Sequence, residues 1–313
     1  MVSVLPTSRQ TGIRSHLIVL GKALFWCLLL YYCLAFFGSK WETLQLSSQF
    51  TQISVKWLTT ASVLIFGHYL IVLVLWLHLL RRLGATPTGF PLFRAYALAL
   101  LPKYLPGVVT AYGVRTRLSQ QAGVPLSISI SSLVLELALT LSSAVTLSLL
   151  GFLIYPKTVS LYFQGRYLFV LGASMGLLTL LCLFTLRWEK GYIPSQFTRS
   201  PRLLFTFWGF YTLTWFIFGL SHWCLARGLA PQVAPPFSFV MTACALSWIV
   251  GFLSVIAPAG LGVREGVLYF LMYPWLGETL SVLFVTLSRL LMFGIEVILT
   301  GICLLSSLFS RQP

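Results

Sequence analysis

Seven of the charged residues in or beside apolar stretches could form one site: Lys103, Arg115, Glu136, Arg264, Glu265, Arg289 and Glu296. A charge at the centre of a membrane helix costs about 2.5–3.5 kcal/mol on the insertion scale, so each needs a partner or a polar cavity. Three of the four basic residues stand at or near breaks. Pro102, Pro106 and Gly107 surround Lys103, and Arg115 follows shortly after. Pro258, Gly260 and Gly262 precede Arg264 in Ile256-Ala-Pro-Ala-Gly-Leu-Gly-Val-Arg-Glu-Gly266. Pro removes an N–H and Gly weakens a helix, so a continuous helix is not expected at either place. Where a helix restarts, its first N–H groups and a nearby Arg suit a phosphate. Arg offers two parallel hydrogen bonds that Lys cannot copy. Lys103, Arg115, Arg264 and Arg289 are therefore the candidate phosphate-binding residues.

Glu136, Glu265 and Glu296 are the candidates for balancing that charge or carrying a coupling proton. Glu136 sits well inside an apolar run and reads first as the partner of a buried cation. Arg289 and Glu296 are seven apart and share a helix face, but do not pair directly with ease. Each is expected to meet a hairpin instead. Glu265 is a candidate receiver for the guanidinium of Arg264 when no anion is bound, although adjacent side chains on a helix point apart. A second reading stays open, in which the later break is a surface loop and Arg264 reaches to lipid headgroups.

Other chemistries find little support. There is no H-E-x-x-H, no Asp and no paired Glu, so neither a zinc site nor a Mg²⁺ site is expected. No G-x-x-x-x-G-K-[ST] is present for ATP. The six Cys lie in apolar runs without a C-x-x-C and read as packing residues. No metal, cofactor or catalytic residue is expected, and the chain is not expected to be an enzyme.

The elements that position these residues belong to a membrane protein. Of 313 residues, 58% are hydrophobic and 9% charged, whereas a soluble domain carries about 25% charged residues. Mean hydropathy is +0.90. No polar segment is long enough for a soluble domain, so one integral membrane domain over 1–313 is expected. Lys and Arg number 21 against six acids, a formal charge of +15. The excess is scattered between apolar runs, which suits anionic lipid first, an anionic substrate second, and not nucleic acid.

Spans are expected at about Leu17–Phe37, Trp57–Leu80, Ser127–Tyr155, Tyr167–Leu186, Leu203–Ala226 and Leu280–Phe309. Phe90–Leu105 with Val108–Arg117, and Phe237–Val255 with Val267–Trp275, are expected as re-entrant hairpins. Most of these pieces fall short of the roughly 20 residues that a crossing needs. The fold class is thus all-α and polytopic, with two halves of about 17–155 and 166–309. Three crossings per half is an odd number, so the second half inserts upside down as an inverted-topology repeat. A cytoplasmic N-terminus puts twelve basic residues, Arg115 included, on the cytoplasmic side and five on the other, as the positive-inside rule requires. Both termini are then cytoplasmic.

The residues also carry a resemblance. Lys103-Tyr-Leu-Pro106-Gly107, Gly123-Val-Pro125 and Glu136 resemble one signature of the lysylphosphatidylglycerol synthase transmembrane (flippase-like) family. Pro258-Ala-Gly-Leu-Gly-Val-Arg-Glu-Gly266 resembles the second and more specific one, and Arg289 also fits. The similarity runs from about Leu17 to Phe309. The family includes the membrane flippase region of the multiple peptide resistance factor. The resemblance implies a flippase that translocates an anionic or phosphate-bearing lipid, in a bacterial-type plasma membrane. It does not imply lipid aminoacylation, because no soluble domain accompanies the spans. Membrane lipids are the implied partners, with a lipid-modifying enzyme or a glycosyltransferase as a further candidate. The alternatives are a non-catalytic membrane partner of a glycosyltransferase and a membrane-embedded lipid-sugar transferase.

Overall fold

A computed structural model describes residues 53–86, 89–104, 110–155, 200–254 and 258–309. All belong to the compact unit Ile53–Pro313. The expected spans at Leu17–Phe37 and Tyr167–Leu186, and the break residues Pro106 and Gly107, lie outside the described residues.

The described residues form seven α-helices: α1 (Val55–Arg82), α2 (Gly89–Leu98), α3 (Thr110–Gln121), α4 (Leu126–Ile154), α5 (Pro201–Leu229), α6 (Phe237–Leu253) and α7 (Val263–Phe309). Four of them, α1, α4, α5 and α7, are long and apolar enough to cross a membrane. The described residues are all-helical, and the protein is an integral membrane protein. Proline sets several helix starts: Pro201 opens α5, while Pro125 and Pro236 directly precede α4 and α6. A missing N–H costs nothing at a position that has no intrahelical acceptor.

Helix α1 buries Ala61, Ile65, Tyr69, Leu73, Trp76 and Leu80, a stripe at helical spacing. Val63 and Val74 on other faces are exposed, as lipid-facing apolar residues are. Its most extensive packing is against α5. Helix α6 is wedged among α4, α5 and α7, and almost its whole length from Phe239 to Ile249 is buried. At 17 residues it is about 26 Å long, less than the roughly 30 Å hydrocarbon core.

The two expected breaks are present. In the first, α2 gives way to a 3-10 turn at Leu101–Tyr104, which contains Pro102 and Lys103, before α3 begins. In the second, α6 ends and a 3-10 turn at Pro258–Gly260 leads into α7. Helix α7 is itself interrupted at Gly277, whose φ of 72° and ψ of −179° suit only glycine. Segments 263–276 and 278–309 are thus two helices, one returning from the break and one long. The two 3-10 turns touch each other. Gly260 is buried and packs against the backbone of Gly251 in α6. Arg264 is itself buried, so the reading in which its side chain reaches to lipid headgroups is corrected.

Contact at that crossing point has a testable consequence. A Cβ on Gly260 would lie 2.9 Å from the Gly251 Cα, at a φ of +68°. Gly262 has a φ of +81° but nothing within 4 Å of its Cβ position. Gly262→Ala is expected to lose only the left-handed strain, about 1–2 kcal/mol. Gly260→Ala should add an overpacking cost of about 1–3 kcal/mol. Thermal unfolding of the detergent-purified variants checks the order.

Candidate functional site

Among the described residues, three ion pairs organise the buried charge, and each joins a hairpin to a long helix. Arg115 on α3 donates from Nη1 and Nη2 to the two carboxylate oxygens of Glu136 on α4, at 3.1 and 2.8 Å. Its guanidinium carbon stands 3.9 Å from the Trp76 ring centroid and 4.9 Å from that of Tyr96. Arg115 is 7% exposed. It is therefore a buried partner of Glu136.

Lys103, in the first 3-10 turn, donates to Glu296 on the long helix of α7 at 2.5 Å. The Tyr69 hydroxyl on α1 donates to the same carboxylate oxygen. Glu296 is fully buried. One carboxylate thus holds the first hairpin tip, α1 and α7 together.

Glu265 does two things. One oxygen accepts the Gly262 backbone N–H at 2.7 Å, which is half of a capping box at the start of α7. The other lies 3.3 Å from Arg289 Nε. Two sequence expectations change here. Glu265 takes the guanidinium of Arg289, not that of Arg264, because side chains adjacent on a helix point apart. The N–H of Gly262 is already used, so that helix start does not present it to a ligand. Arg289 and Glu296 each meet a hairpin, as their spacing suggested.

Arg264 is left. It is 7% exposed, and among the described residues no carboxylate pairs with it. Its Nη2 reaches Met292 Sδ at 3.5 Å, and its guanidinium carbon lies 5.5 Å from the Phe218 ring centroid. Thioether sulfur is a weak acceptor. Removing a carboxylate from a buried cation costs about 3–5 kcal/mol, so Arg264 sits in a place made for an anion or for water.

A cavity of about 320 Å³ supplies that place. Lys103, Arg115, Arg264 and Arg289 all line it, as does Glu136. Gly260 and Ala259 line it from the second tip. Ala259 holds a φ of 53°, a left-handed strain of the kind that clusters at ligand sites. The rest of the wall is largely aromatic, from Tyr112, Tyr211, Trp215, Phe218, Trp248 and Phe252. The volume lies at the lower end of the range for small-molecule sites.

All four basic candidates thus share one cavity. Pro102, Pro258 and Gly260 make the tips that meet beside it, while Gly262 is exposed at the start of α7. Glu265 and Glu296 stand behind the cavity as partners of its cations. Sequence reasoning missed Tyr69, Tyr104, Phe218 and Met292. A signal existed for Met292 alone: with Arg289 and Glu296 it falls at helical spacing on one face.

The Arg115–Glu136 pair makes a clear stability prediction. Glu136→Gln leaves a buried guanidinium uncompensated and should cost on the order of 3–5 kcal/mol. Replacing both partners, Arg115→Met with Glu136→Leu, should recover much of that loss, because no lone charge remains. The melting temperatures of the purified single and double variants measure the difference.

The geometry agrees with the comparison to known families. The family described as lysylphosphatidylglycerol synthase TM region matches residues 18–300. No curated protein and no solved structure matches the chain. The match takes in both broken hairpins and every residue of the charged cavity, and the chain belongs to the lysylphosphatidylglycerol synthase TM region family.

Proposed function

We propose that the protein moves a phosphate-bearing lipid headgroup across the bilayer, as a transporter and not as an enzyme, without ATP hydrolysis of its own. One observation carries this reading. Arg264 is buried beside a cavity at the meeting point of two broken hairpins, with no carboxylate for its charge among the described residues. A phosphate entering the cavity gives Arg264 two charge-assisted hydrogen bonds. Arg289 contributes a second donor, because its Nη2 is buried and unpartnered among the described residues. The phosphate then competes with Glu265 for Arg289, which keeps binding reversible.

The order of elements supports a path. Long helix, broken hairpin, long helix occurs twice: α1 to α4, then α5 to the 278–309 segment of α7. With the spans expected at Leu17–Phe37 and Tyr167–Leu186, each half crosses three times, and the second half is inverted. The hairpins then enter from opposite faces of a bacterial-type plasma membrane, with both chain termini cytoplasmic. Twelve basic residues against five support that orientation. A headgroup bound where the tips meet has only one tip to pass on either side. A lipid-modifying enzyme or a glycosyltransferase is the natural partner, making or consuming the lipid.

Two experiments test this. In liposomes with a fluorescent phosphate-bearing lipid, Arg264→Ala should slow headgroup movement by about tenfold to a hundredfold, the loss of a charged hydrogen bond. Arg264→Lys should fall between, since it keeps charge but not the two parallel bonds. Wild-type rates in both variants would end the phosphate-clamp reading and leave a non-catalytic partner role. For topology, single Cys probes at Ser48 and Gln232 should label from outside, and those at Ser8 and Ser195 from inside. Labelling of Ser8 and Ser195 from opposite sides would remove the inverted repeat.

A further inference from the structure

From the pairing at the first hairpin tip, we infer that Glu296 is a proton-binding site, and that passage of a headgroup past this tip requires one proton on its carboxylate. The inference rests on the headgroup reading above and adds an ion to it.

Glu296 is held differently from the other two paired acids. Glu136 gives both oxygens to Arg115, and Glu265 divides its oxygens between the Gly262 N–H and Arg289. Glu296 accepts from Lys103 and Tyr69 at one oxygen, while its Oε2 is buried with no hydrogen bond among the described residues. Its cation is a lysine, a point charge on a flexible stem, where the other two acids hold a guanidinium. Of the three paired cations, Lys103 has the most exposed side chain, at 30%, against 16% for Arg289 and 9% for Arg115. Lys103 also lines the cavity. It is the cation most readily drawn off its acid.

Movement of the first tip has to break this pair, because Lys103 belongs to the tip and Glu296 to a long helix. An ionised Glu296 would then stand alone, fully buried, and a lone buried charge is strongly destabilising. A buried carboxylate without a cation takes a proton instead. The charge count agrees. Once Lys103 has moved into water, Arg115, Arg264 and Arg289 remain at the cavity. Glu136, Glu265 and one phosphodiester balance these three. With Glu296 ionised the site then carries an excess negative charge, and with Glu296 protonated it is neutral. Closure restores the Lys103–Glu296 pair and returns the proton to water. The open tip binds one proton more than the closed tip, so acid favours opening.

Tyr69 supplies the route. It lines the cavity, and its hydroxyl donates to Glu296, which is not itself part of the wall. A hydronium in cavity water gives a proton to the phenol oxygen while the phenol's own proton passes to the carboxylate. One O–H bond forms and one breaks at Tyr69, and the net gain is one O–H on Glu296. The groups that interact with Glu296 are Tyr69 of α1, Tyr96 of α2, and Lys103 and Tyr104 of the first turn. Arg264 and Arg289 of α7 act on Lys103. His68 of α1, His222 of α5 and Cys244 of α6 stand near Arg264, and Arg94 of α2 stands near Cys303. The two histidines are the rival proton sites. A proton on either ring adds a cation beside Arg264, which no carboxylate answers among the described residues. His222 has both ring nitrogens engaged, with the Phe218 carbonyl and the Ser288 hydroxyl.

The test is headgroup movement of fluorescent phosphatidylglycerol in liposomes holding the purified protein, with the same buffer on both sides. One linked proton changes the population of the open tip by up to about tenfold per pH unit. Between about pH 8 and about pH 6 the wild-type rate should therefore rise at least about fivefold. Glu296→Gln keeps the shape of the protonated acid, and its ratio of rates at the two pH values should fall to about one. Glu296→Gln combined with Lys103→Met leaves no lone ammonium and should give the same ratio, which covers poor folding of the single variant. His68→Gln should retain the wild-type ratio. A wild-type rate independent of pH overturns the inference and leaves lipid translocation standing. So does a wild-type ratio in both Glu296 variants, or loss of the ratio in His68→Gln alone. Absence of headgroup movement at any pH overturns the headgroup reading itself, and the inference with it.

Discussion

Charge buried in an apolar interior has to be compensated, and the architecture follows from how this chain does so. Three carboxylates hold three cations, and each pair fastens a broken hairpin to a long helix. Arg115–Glu136 fixes the first hairpin to the helix that follows it. Glu265–Arg289 does the same for the second, with acid and base exchanged between hairpin and helix. Lys103–Glu296 crosses from the first tip to the last helix, and Tyr69 ties α1 to the same carboxylate. Breaking any one pair would leave a lone charge and loosen a hairpin at once. The packing of the hairpins and the lining of the cavity therefore depend on the same side chains.

The backbone breaks face the same constraint. A helix that stops at membrane depth frees N–H and C=O groups that lipid cannot satisfy. Here each 3-10 turn packs against the other. Glu265 caps the restart of α7 through the Gly262 N–H. Gly260 lets the second tip sit against Gly251 without a side chain between them. Rings complete the site electrostatically: the faces of Trp76, Tyr96, Tyr104 and Phe218 lie against guanidinium and ammonium groups. These contacts reduce the cost of holding four cations near one cavity without adding a fourth acid.

Short 3-10 turns with few helical hydrogen bonds belong to the least stable part of a fold. These turns stand at the cavity, through Lys103, Ala259 and Gly260, and the long helices frame it. Glu296 lies at the junction of tip and frame, where a change in its partners alters how firmly the first tip is held.

Membrane class, the helix ends near Val55, Leu126, Pro201 and Phe237, and both breaks were legible in the sequence, because each depends on local properties. Apolar length gives the long helices, Pro and Gly give the stops, and a charge in an apolar run marks a candidate position. All seven charged candidates followed from that last rule, and the four basic ones share one cavity. Partners were not legible in this way. Arg264 and Glu265 are adjacent in the chain yet face different neighbours, and Glu296 meets a lysine 193 positions away. Tyr69, Tyr104 and Phe218 looked like ordinary core or interface aromatics until their rings were found against cations. Pairing depends on which helix faces meet, and that is set by packing summed over the whole bundle. Local sequence fixes what a residue can do; only the tertiary structure decided that, among the described residues, three cations would be answered by a carboxylate and Arg264 would not.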